Sequence, residues 1–516
     1  MNNKIIKHNL VSEIIFFTLL VFIVANFFVF SSPPAHAASV WYMTTTGIDN
    51  TACGSTTSPC RTFNYMLNNI VNPYDTIYVM SGTYDLMLEQ NPSSYVLVDV
   101  AGVTITASDT SNRPLVYGDS SKDNVFKVTA DNVKISYLKI YHNRNLKPIY
   151  SYRDGCIEFD NAINGTVDNC ELAYSEAGVT MRGPRNSGHT ITNNYVHDHV
   201  DIDPALATPE TTDGQCFVTM DGTSATGWQE RILIDHNEAF KCGDSFLAGA
   251  NKTYYNNFIE ISNNNFHDNY EDSIDLKTAR NIKIHHNKLH NDAGDAVTTH
   301  DDTSSDGDAD DVEFYNNEVY SSGWWGLIIK GGCDNWSVYN NLIYGNAHDQ
   351  DCIKGNYVPV GLNGGGSTSK IYNNVIYNNG PKGGYTGSGK LINNIVYNNG
   401  QAGYIDCKGK SSHGNIGVSS SGTIDNNYVY PTSPGITGSN AISVSNPMMK
   451  NPSNFDFTLL NGSPLINSGV DVGITTDFFG TPRPQGAGYD IGAYEYPSGG
   501  GGDTTAPSAP TGVTVS

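Results

Sequence analysis

The chain of 516 residues carries 52 acidic and 29 basic side chains, which gives a formal net charge of −23. Because binding to a nucleic-acid backbone needs many cationic contacts, this charge argues against a nucleic-acid-binding protein. The protein as a whole would also repel an acidic polymer, so an acidic substrate would require a local row of cations or a bound metal ion. The length leaves ample room for a large hydrophobic core.

The N-terminal residues have the pattern of a secretory signal. Two lysines precede a long apolar run, which two prolines separate from the small-residue motif Ala35-His36-Ala37. This pattern predicts a signal peptide over residues 1–37 and a secreted or surface-associated protein. A retained membrane anchor is the alternative, because the run is nearly long enough to span a bilayer. After cleavage we expect no stable membrane insertion and a monomeric mature protein.

The nine cysteines fit a chain that folds in an oxidising compartment. Cys53 and Cys60 lie close together in one N-terminal loop and are predicted to form a disulfide. The further pairs considered are Cys216 with Cys242, Cys333 with Cys352, and Cys156 with Cys170, which leaves Cys407 over. The chain has no Cys-x-x-Cys motif, which argues against a thiolate zinc site.

Residues 38–97 contain a strand, a loop rich in Gly, Ser and Thr, a short amphipathic helix near 63–70 and a second strand at 76–80. This order of elements resembles the N-terminal cap of many secreted bacterial right-handed β-helix proteins. The resemblance implies that the segment covers the open end of a stack of strands.

Residues 98–430 repeat a motif of two polar residues, any residue, an apolar residue, and Tyr or His. Eight clear copies occur at 193–197, 263–267, 286–290, 316–320, 340–344, 373–377, 393–397 and 426–430. A repeat of about 20 to 30 residues with short strands predicts an all-β fold, a parallel β-helix in which each repeat forms one coil. With the resemblance of the cap, we expect a right-handed parallel β-helix.

The Asn pairs and the Tyr/His column of this repeat are predicted to be structural. Asn tolerates left-handed backbone geometry and can form a ladder of side-chain amides between coils. His197, His267 and His290 could be metal ligands, but Tyr takes their place in later coils. A stacking position explains both residue types.

The repeat ends near Tyr430. Residues 431–496 contain Ser-Pro-Leu-Ile-Asn-Ser-Gly and then Asp-Ile-Gly-Ala-Tyr-Glu, which resembles the terminal segment of many bacterial surface β-helix proteins and implies a C-terminal cap. Residues 497–516 resemble a Gly-rich linker followed by the first strand of a fibronectin type III module.

Alternation along the second strand of each repeat predicts two outward columns of charged side chains. The aligned cationic positions are Arg182, Lys277, His300, Lys330 and Lys354, and Gly249 interrupts them. The aligned acidic positions, in the preceding turn, are Asp244, Asp272 next to Glu271, and Asp295. Stacked charges of this kind also serve solvation or turn capping, which is the structural alternative to a functional site.

Glu271, Asp272 and Asp275 form the pattern Glu-Asp-x-x-Asp, and Asp244 lies one coil before it. This set resembles the calcium site of the family nine polysaccharide lyases, in which the pattern is Asp-Asp-x-x-Asp and a lysine some coils onward is the base. The resemblance implies that these four residues bind Ca²⁺. It also implies that the substrate is an acidic, uronate-containing polysaccharide of the pectate type.

A lyase of this class removes the proton next to a uronate carboxylate, so it needs a group that neutralises the carboxylate and an uncharged base. Neighbouring cations disfavour the ammonium form of a lysine, and Lys330 lies between His300 and Lys354 in the column. We therefore predict Lys330 as the base. Lys277, beside Asp275, is predicted to bind the substrate carboxylate during catalysis.

Four other residues are predicted to contact the substrate. Arg182 could hold a second uronate through two hydrogen bonds, and an outward Trp324 could stack on a sugar ring. The neighbours of the base, His300 and Lys354, complete the predicted binding surface.

Two other functions fit the same sequence. Asp272 and Asp295 on adjacent coils would be about 5 Å apart, which suits a β-helix glycoside hydrolase with paired carboxylates. A non-catalytic surface or glycan-binding protein also fits the repeats and the appended module. The acidic insert 301–311 is either a solvated loop or a further calcium-binding loop.

Overall fold

The computed structural model describes most of the chain between Ala37 and Pro497. The described residues are 37–87, 95–118, 124–142, 155–183, 185–199, 214–220, 229–249, 256–300, 308–347, 360–380, 383–400, 414–417, 420–432 and 435–497. The predictions that lie outside them concern the signal peptide through His36, Lys354, Cys352, Cys407, the insert from 301 to 307 and the segment 498–516.

Three parallel sheets run the length of the molecule, and each turn of the chain adds one strand to sheet 1, then to sheet 2, then to sheet 3. The main strands of sheet 1 are Val40–Met43, Thr76–Val79, Thr104–Ala107, Lys134–Ser136, Thr166–Asp168, Thr190–Thr192, Leu233–Asp235, Glu260–Ser262, Ala279–His285, Ala309–Tyr315, Ser337–Tyr339, Lys370–Tyr372, Lys390–Ile392 and Ile424–Asp425. Two short strands, Gln229–Glu230 and Asn256–Asn257, pair beside it.

The strands of sheet 2 are Thr83–Asp85, Leu115–Gly118, Lys139–His142, Glu171–Ala173, Tyr195–His197, Glu238–Phe240, Asn265–His267, Lys288–His290, Glu318–Tyr320, Leu342–Tyr344, Val375–Tyr377, Ile395–Tyr397 and Tyr428–Tyr430. The strands of sheet 3 are Val96–Val98, Asn124–Val128, Gly155–Asp160, Ala177–Arg182, Gln215–Met220, Asp244–Ala248, Ile274–Leu276, Val297–Thr299, Leu327–Ile329, Leu362–Gly364, Gly383–Thr386 and Gly414–Ile416. This architecture is a parallel β-helix, and it confirms the fold predicted from the repeat.

The interior is a set of apolar columns that run parallel to the helix axis. In sheet 3 one such column contains Phe217, Phe246, Ile274, Val297 and Leu327, which are all fully buried and paired in register. Burial of each such side chain stabilises the fold by about 2 kcal/mol. The column fixes the direction of the neighbouring side chains, because strand positions alternate between interior and surface.

The two positions of each Asn pair have different structural roles. The first residue has a left-handed backbone, with φ between 49° and 59° in the nine copies from Asn193 to Asn426, including those where His takes its place. The second residue is buried in a ladder of nine asparagines. The rungs of this ladder are Asn194, Asn237, Asn264, Asn287, Asn317, Asn341, Asn374, Asn394 and Asn427.

Each ladder oxygen after that of Asn194 accepts two hydrogen bonds from the asparagine of the preceding coil. Asn317 Oδ1 accepts from the backbone N–H and from Nδ2 of Asn287, both at 3.0 Å. Its own Nδ2 donates to the carbonyl oxygen of Ile284 at 2.9 Å and to Asn341 Oδ1 at 3.1 Å. The predicted amide ladder is therefore confirmed, and it satisfies polar groups that are otherwise shielded from water.

Replacing Asn317 by alanine is expected to lower the free energy of unfolding by about 3 kcal/mol, because buried donors of Asn287 would lose their acceptor. Urea denaturation followed by far-ultraviolet circular dichroism measures the change. Asn316→Gly is the matched control, because glycine accepts the φ of 54° at that position. We expect the control to lose less than about 1 kcal/mol; equal losses in the two variants would contradict a specific role for the ladder.

A column of stacked rings covers the outer face of sheet 2. Its members are His197, Phe240, His267, His290, Tyr320 and Tyr344. Neighbouring ring centres are 4.5–5.3 Å apart and their planes lie within 15° of parallel. Stacking explains why His, Phe and Tyr interchange here, as the sequence indicated.

Two of the predicted disulfides are present and one is wrong. Cys53 is bonded to Cys60, and Cys216 is bonded to Cys242. Cys156 and Cys170 do not pair with each other: both are buried free thiols. Cys156 Sγ lies 3.3 Å from Ser175 Oγ, whereas Cys170 Sγ contacts the carbonyl oxygen of Asp168 at 3.6 Å, so the two thiols have different surroundings. Cys333 is also a buried free thiol.

The N-terminal region contains the predicted short helix, α1, at Phe63–Asn69. Thr62 Oγ1 caps it by accepting a hydrogen bond from the backbone N–H of Tyr65 at 3.2 Å, and Phe63, Met66 and Leu67 are buried. This region also supplies the first strands of sheets 1 and 2, so the division between a cap at 38–97 and coils at 98–430 stays a prediction.

Residues 436–442 form bridges to the last strands at the end of the coils, and residues from Met449 onward pack on the outside of the later coils. Met449–Asn451 and Asp456–Leu459 form an antiparallel pair, joined by the 3₁₀ turn Pro452–Asn454. Phe455 stacks on Tyr344 with ring centres 4.2 Å apart, and Arg483 donates to Glu495 Oε1 at 2.7 Å. Within the described part of the chain, no helix combines the length and the apolar character needed to span a membrane.

Candidate functional site

The predicted charged columns lie on the outer face of sheet 3. Ile274 pairs with Val297, and Val297 pairs with Leu327, so equivalent positions of three successive coils are in register. The positions just after these strands are Lys277, His300 and Lys330. The acidic positions lie two residues before the paired apolar residues Phe246, Ile274 and Val297. They are Asp244, Asp272 and Asp295.

The three acidic side chains link each coil to the next. Asp244 Oδ1 accepts the backbone N–H of Asp272 at 3.2 Å, and Asp272 Oδ1 accepts that of Asp295 at 2.6 Å. Asp295 Oδ1 accepts the N–H of Trp325 at 2.8 Å. Each carboxylate therefore has a structural role as a turn acceptor, whatever else it binds.

Asp272 is the most crowded of these carboxyl groups. Burial raises its pKa well above the usual range, and the charges of Asp295, Asp244, Glu271 and Asp275 raise it further. Gly294 permits this close approach, since a Cβ at that position would lie 2.5 Å from Asp272 Oδ1. A proton or a cation at Asp272 would relieve the repulsion among these carboxylates.

Asp275 lies beside the acidic column and contacts a lysine and a histidine side chain. Its Oδ2 is 3.6 Å from Lys277 Nζ, and its Oδ1 is 3.2 Å from His300 Nε2. The Asp275 side chain is almost fully buried, whereas Lys277 and His300 are partly exposed. The structure thus joins three residues of the predicted site that are spread over two successive coils of the chain.

Lys330 follows His300 in the cationic column, one coil further on. Its backbone N–H donates to Thr299 Oγ1 at 2.8 Å, and Cys333 Sγ lies 3.4 Å from the same hydroxyl. Thr299 and Cys333 therefore position the segment that carries Lys330. The sequence assigned neither residue to the site, because the Thr299 side chain faces inward and Cys333 was considered only as a disulfide partner.

The structure separates Arg182, one of the predicted substrate-binding residues, from this group. Arg182 occupies the cationic column, but Met220 and Gly249 fill the two intervening positions before Lys277. Three coil steps correspond to about 14 Å, so Arg182 does not contact the same point as Lys277. Trp324 lies in the turn before the strand that leads to Lys330, and its backbone N–H donates to the carbonyl oxygen of Gly294 at 3.0 Å.

The four predicted calcium ligands do not converge in this arrangement. Within the described residues, the one set of three ligand atoms that approach one another within 4.8 Å belongs to Asp49, Cys53 and Cys60, and the two cysteines are joined in a disulfide. Asp244 and Asp272 each use one oxygen as a turn acceptor, and Asp275 is held by Lys277 and His300. The carboxylates are therefore close neighbours without forming a three-oxygen site.

A second polar group on the same face was missed by sequence analysis. Glu158 faces outward from the strand Gly155–Asp160 and lies 3.5 Å from Arg182 Nη1 and 3.5 Å from Lys127 Nζ. The alternation Ile157, Glu158, Phe159 was the available signal, since it places an acid on the outward side of sheet 3.

Comparison with known proteins supports the fold. The family model described as a right-handed β-helix region matches residues 123–308. A search of curated proteins finds no match. The handedness expected from the sequence is consistent with the matched family.

A search of solved structures finds matches at low sequence identity. Pectate lyase Pel9A is 14% identical over 89% of this chain and 97% of its own, with a TM-score of 0.44. The complex of XylC with xylose is 10% identical over 89% and 98%, with a TM-score of 0.49. The alginate lyase from Paenibacillus sp. str. FPU-7 is 15% identical over 63% and 91%, with a TM-score of 0.36. At these identities the similarity concerns the fold alone.

Proposed function

We propose that the protein is a secreted lyase that cleaves a uronate-containing polysaccharide by β-elimination on the outer face of sheet 3. The observation that carries the proposal is the contact of Asp275 with both Lys277 and His300, beside the acidic column and one coil before Lys330. This arrangement combines a site for a substrate carboxylate with an amine that can remove a proton. The two disulfides agree with an oxidising compartment.

In the proposed reaction Lys277 and His300 bind the carboxylate of one uronate unit. The Lys330 amine takes the proton from the carbon next to that carboxylate, and the C–H electrons form the new carbon–carbon double bond. The bond to the glycosidic oxygen breaks, and that oxygen takes a proton from water. The cations lower the energy of the transition state because negative charge accumulates on the carboxylate.

Calcium binding by Asp244, Glu271, Asp272 and Asp275 remains part of the proposal. The crowding of carboxylates around Asp272 supports it, because a divalent cation would replace the proton that the raised pKa favours. When bound, the ion would neutralise the substrate carboxylate. The described geometry does not form a three-oxygen site, so none of the steps above uses the ion.

The proposal is tested by incubating the full-length protein with polygalacturonate, alginate and xylan, in Ca²⁺ and in a chelator. We expect product with ultraviolet absorbance from unsaturated sugar ends on an acidic polymer, and a higher thermal midpoint in Ca²⁺. Rates and midpoints that are the same in both media would reject the calcium part alone. Failure to form unsaturated ends on any acidic polymer would reject the elimination.

A glycoside hydrolase is the second candidate, and the raised pKa of Asp272 favours it. A glycosidase pairs a carboxyl group that keeps its proton with a second carboxyl group, and Asp295 on the adjacent coil is the neighbour of Asp272. New reducing ends without ultraviolet-absorbing product would identify this activity. Binding of a polysaccharide without either product would favour the non-catalytic surface protein.

A further inference from the structure

A polar cluster of six residues lies on the outer face of sheet 3, toward its N-terminal end. We call it the Glu158 cluster; its members are Asn124, Lys127, Glu158, Asp160, Thr180 and Arg182. Glu158 Oε2 accepts from Asn124 Nδ2 at 2.6 Å and lies 3.5 Å from Lys127 Nζ. Lys127 also contacts Asp160 at 2.8 Å. None of these residues takes part in the proposed elimination.

The floor of the cluster is buried and its rim is partly exposed. Glu158 is 2% exposed and Thr180 is fully buried. The rim side chains Lys127, Asp160 and Arg182 keep 21–28% of their surface in solvent. A ligand can therefore reach the floor when the long, flexible side chains of Lys127 and Arg182 move aside.

Two atoms of the floor have unused hydrogen-bonding capacity. Glu158 Oε1 and Thr180 Oγ1 are buried and have no hydrogen-bond partner among the described residues. Arg182 Nη1 approaches Glu158 Oε1 only to 3.5 Å. Because a buried polar atom without a partner destabilises a fold, such a pair on one outer face leaves a position at which a ligand could complete the hydrogen bonds that the described residues leave open.

The backbone leaves room for a ligand group at this position. Gly155 and Ala177 stand in register between the larger amide side chains of Asn124 and Gln215. A Cβ at Gly155 would lie 3.3 Å from Asn124 Oδ1 and 3.4 Å from Thr180 Oγ1. The absence of a side chain at Gly155 thus leaves a small recess lined by polar atoms.

We propose that Glu158 and Thr180 form a binding subsite for an uncharged, hydroxyl-bearing sugar unit of a polysaccharide chain. Two acids and two cations give the cluster no net charge, and Glu158 would repel a uronate carboxylate at its floor. One sugar hydroxyl donates to Glu158 Oε1, and a second one exchanges a hydrogen bond with Thr180 Oγ1. Arg182 is then a rim residue that already pairs with Glu158, instead of a clamp for a uronate.

The subsite lies on the same outward column as Asp275. Glu158, Thr180, Val218, Leu247 and Asp275 are paired successively across four strand steps, which correspond to about 19 Å. Val218 and Leu247 form an apolar patch with Ala177 and Met220 between the two polar groups. A chain of several sugar units along the helix axis would contact both groups, so the subsite adds to the proposed function and predicts a mixed neutral and acidic substrate.

Thr180→Val tests the subsite, because valine keeps the branched shape of threonine and replaces its hydroxyl with a methyl group. The full-length variant is compared with the wild-type protein by affinity electrophoresis in polygalacturonate, highly methyl-esterified pectin and xylan. We expect about tenfold weaker retardation by the chain that binds best, with no fall in the thermal midpoint. Thr386→Val is the matched control, since Thr386 occupies the same outward column several coils away.

Glu158→Gln provides a second test. It should change the preference among the polymers, which the loss of a merely structural residue would leave unchanged. Wild-type protein should bind methyl-esterified pectin more tightly than polygalacturonate, and the variant should reduce this preference because its floor no longer repels carboxylates. If the wild-type protein cleaves none of these polymers but Thr180→Val weakens binding, the result supports the subsite and rejects the elimination. Wild-type affinity in Thr180→Val, or no binding of any polymer by the wild-type protein, overturns the subsite.

Discussion

Replacing Lys330 by methionine is expected to reduce the initial rate of unsaturated product formation by a factor of roughly 10²–10⁴. Methionine has a similar length and packs in the same space, but it has no amine to remove the proton. Because Lys330 contributes only its backbone N–H to the contact with Thr299, the fold should be unaffected. Absorbance of the unsaturated product measures the rate, and a thermal midpoint equal to that of the wild-type protein excludes unfolding.

Lys390→Met is the matched control for this experiment. Lys390 is an exposed lysine on the outer face of sheet 1, away from the acidic column, and its replacement should leave the rate unchanged. Lys277→Met should act differently, mainly by raising KM, since Lys277 is proposed to bind the carboxylate instead of removing the proton. A Lys330→Met protein that retains a rate within about twofold of the wild-type value would assign the base to another residue.

Replacing Asp292 by asparagine is expected to stabilise the protein, by an amount that depends on pH. Asp292 is 2% exposed, and its Oδ1 accepts from Asn269 Nδ2 at 2.8 Å, while its Oδ2 accepts from Ser273 Oγ at 2.6 Å. Burial raises its pKa to about 8, above the ordinary value of 3.8. Later coils place asparagine in the corresponding buried ladder, as at Asn346 and Asn379.

The raised pKa sets the direction of the pH dependence. The unfolded chain releases the Asp292 proton near pH 4, whereas the folded chain holds it until about pH 8. The wild-type protein therefore loses stability as the pH rises from about 4 to 8, and the loss is complete above that range. An asparagine side chain does not titrate, so the advantage of Asp292→Asn should grow across this interval, to about 5 kcal/mol at most.

Urea denaturation of the wild-type and variant proteins at a series of pH values measures this difference. Asn379→Asp is the reverse control, because it places a carboxyl group in an equivalent buried ladder and should introduce the same loss of stability with rising pH. A constant difference between Asp292→Asn and wild-type protein from pH 4 to 8 would show that Asp292 ionises in the folded state at its ordinary pKa.

The sequence was informative about features that depend on local alternation and on the repeat. The Asn pairs indicated where each coil turns, and the alternation in the strand around Ile274 indicated that Asp275 and Lys277 face outward. These predictions succeeded because parallel strands stack in register at a fixed spacing, so one position of the repeat becomes one column of the structure. The same logic aligns Lys277, His300 and Lys330 in one column.

The pairing of side chains across coils was less predictable. Only three-dimensional placement could exclude a bond between Cys156 and Cys170, since a disulfide requires a narrow range of distances. Three coil steps separate Arg182 from Lys277. The sequence did not show this distance, because inserted loops in the intervening coils obscure the repeat. Sequence analysis also missed Glu158, because it lies in a coil without a clear Asn motif.

The order of residues along the chain determined the coiled architecture. It also determined that the charged residues lie on the outer face of sheet 3, because both features follow from periodic burial of apolar side chains. The tertiary structure decided which charges touch: Asp275 with Lys277 and His300, Glu158 with Arg182, and carboxylates that cap turns without converging on one point. Side-chain rotamers and the packing between coils set those contacts, and differences of a few ångströms there separate a binding site from a row of turn caps.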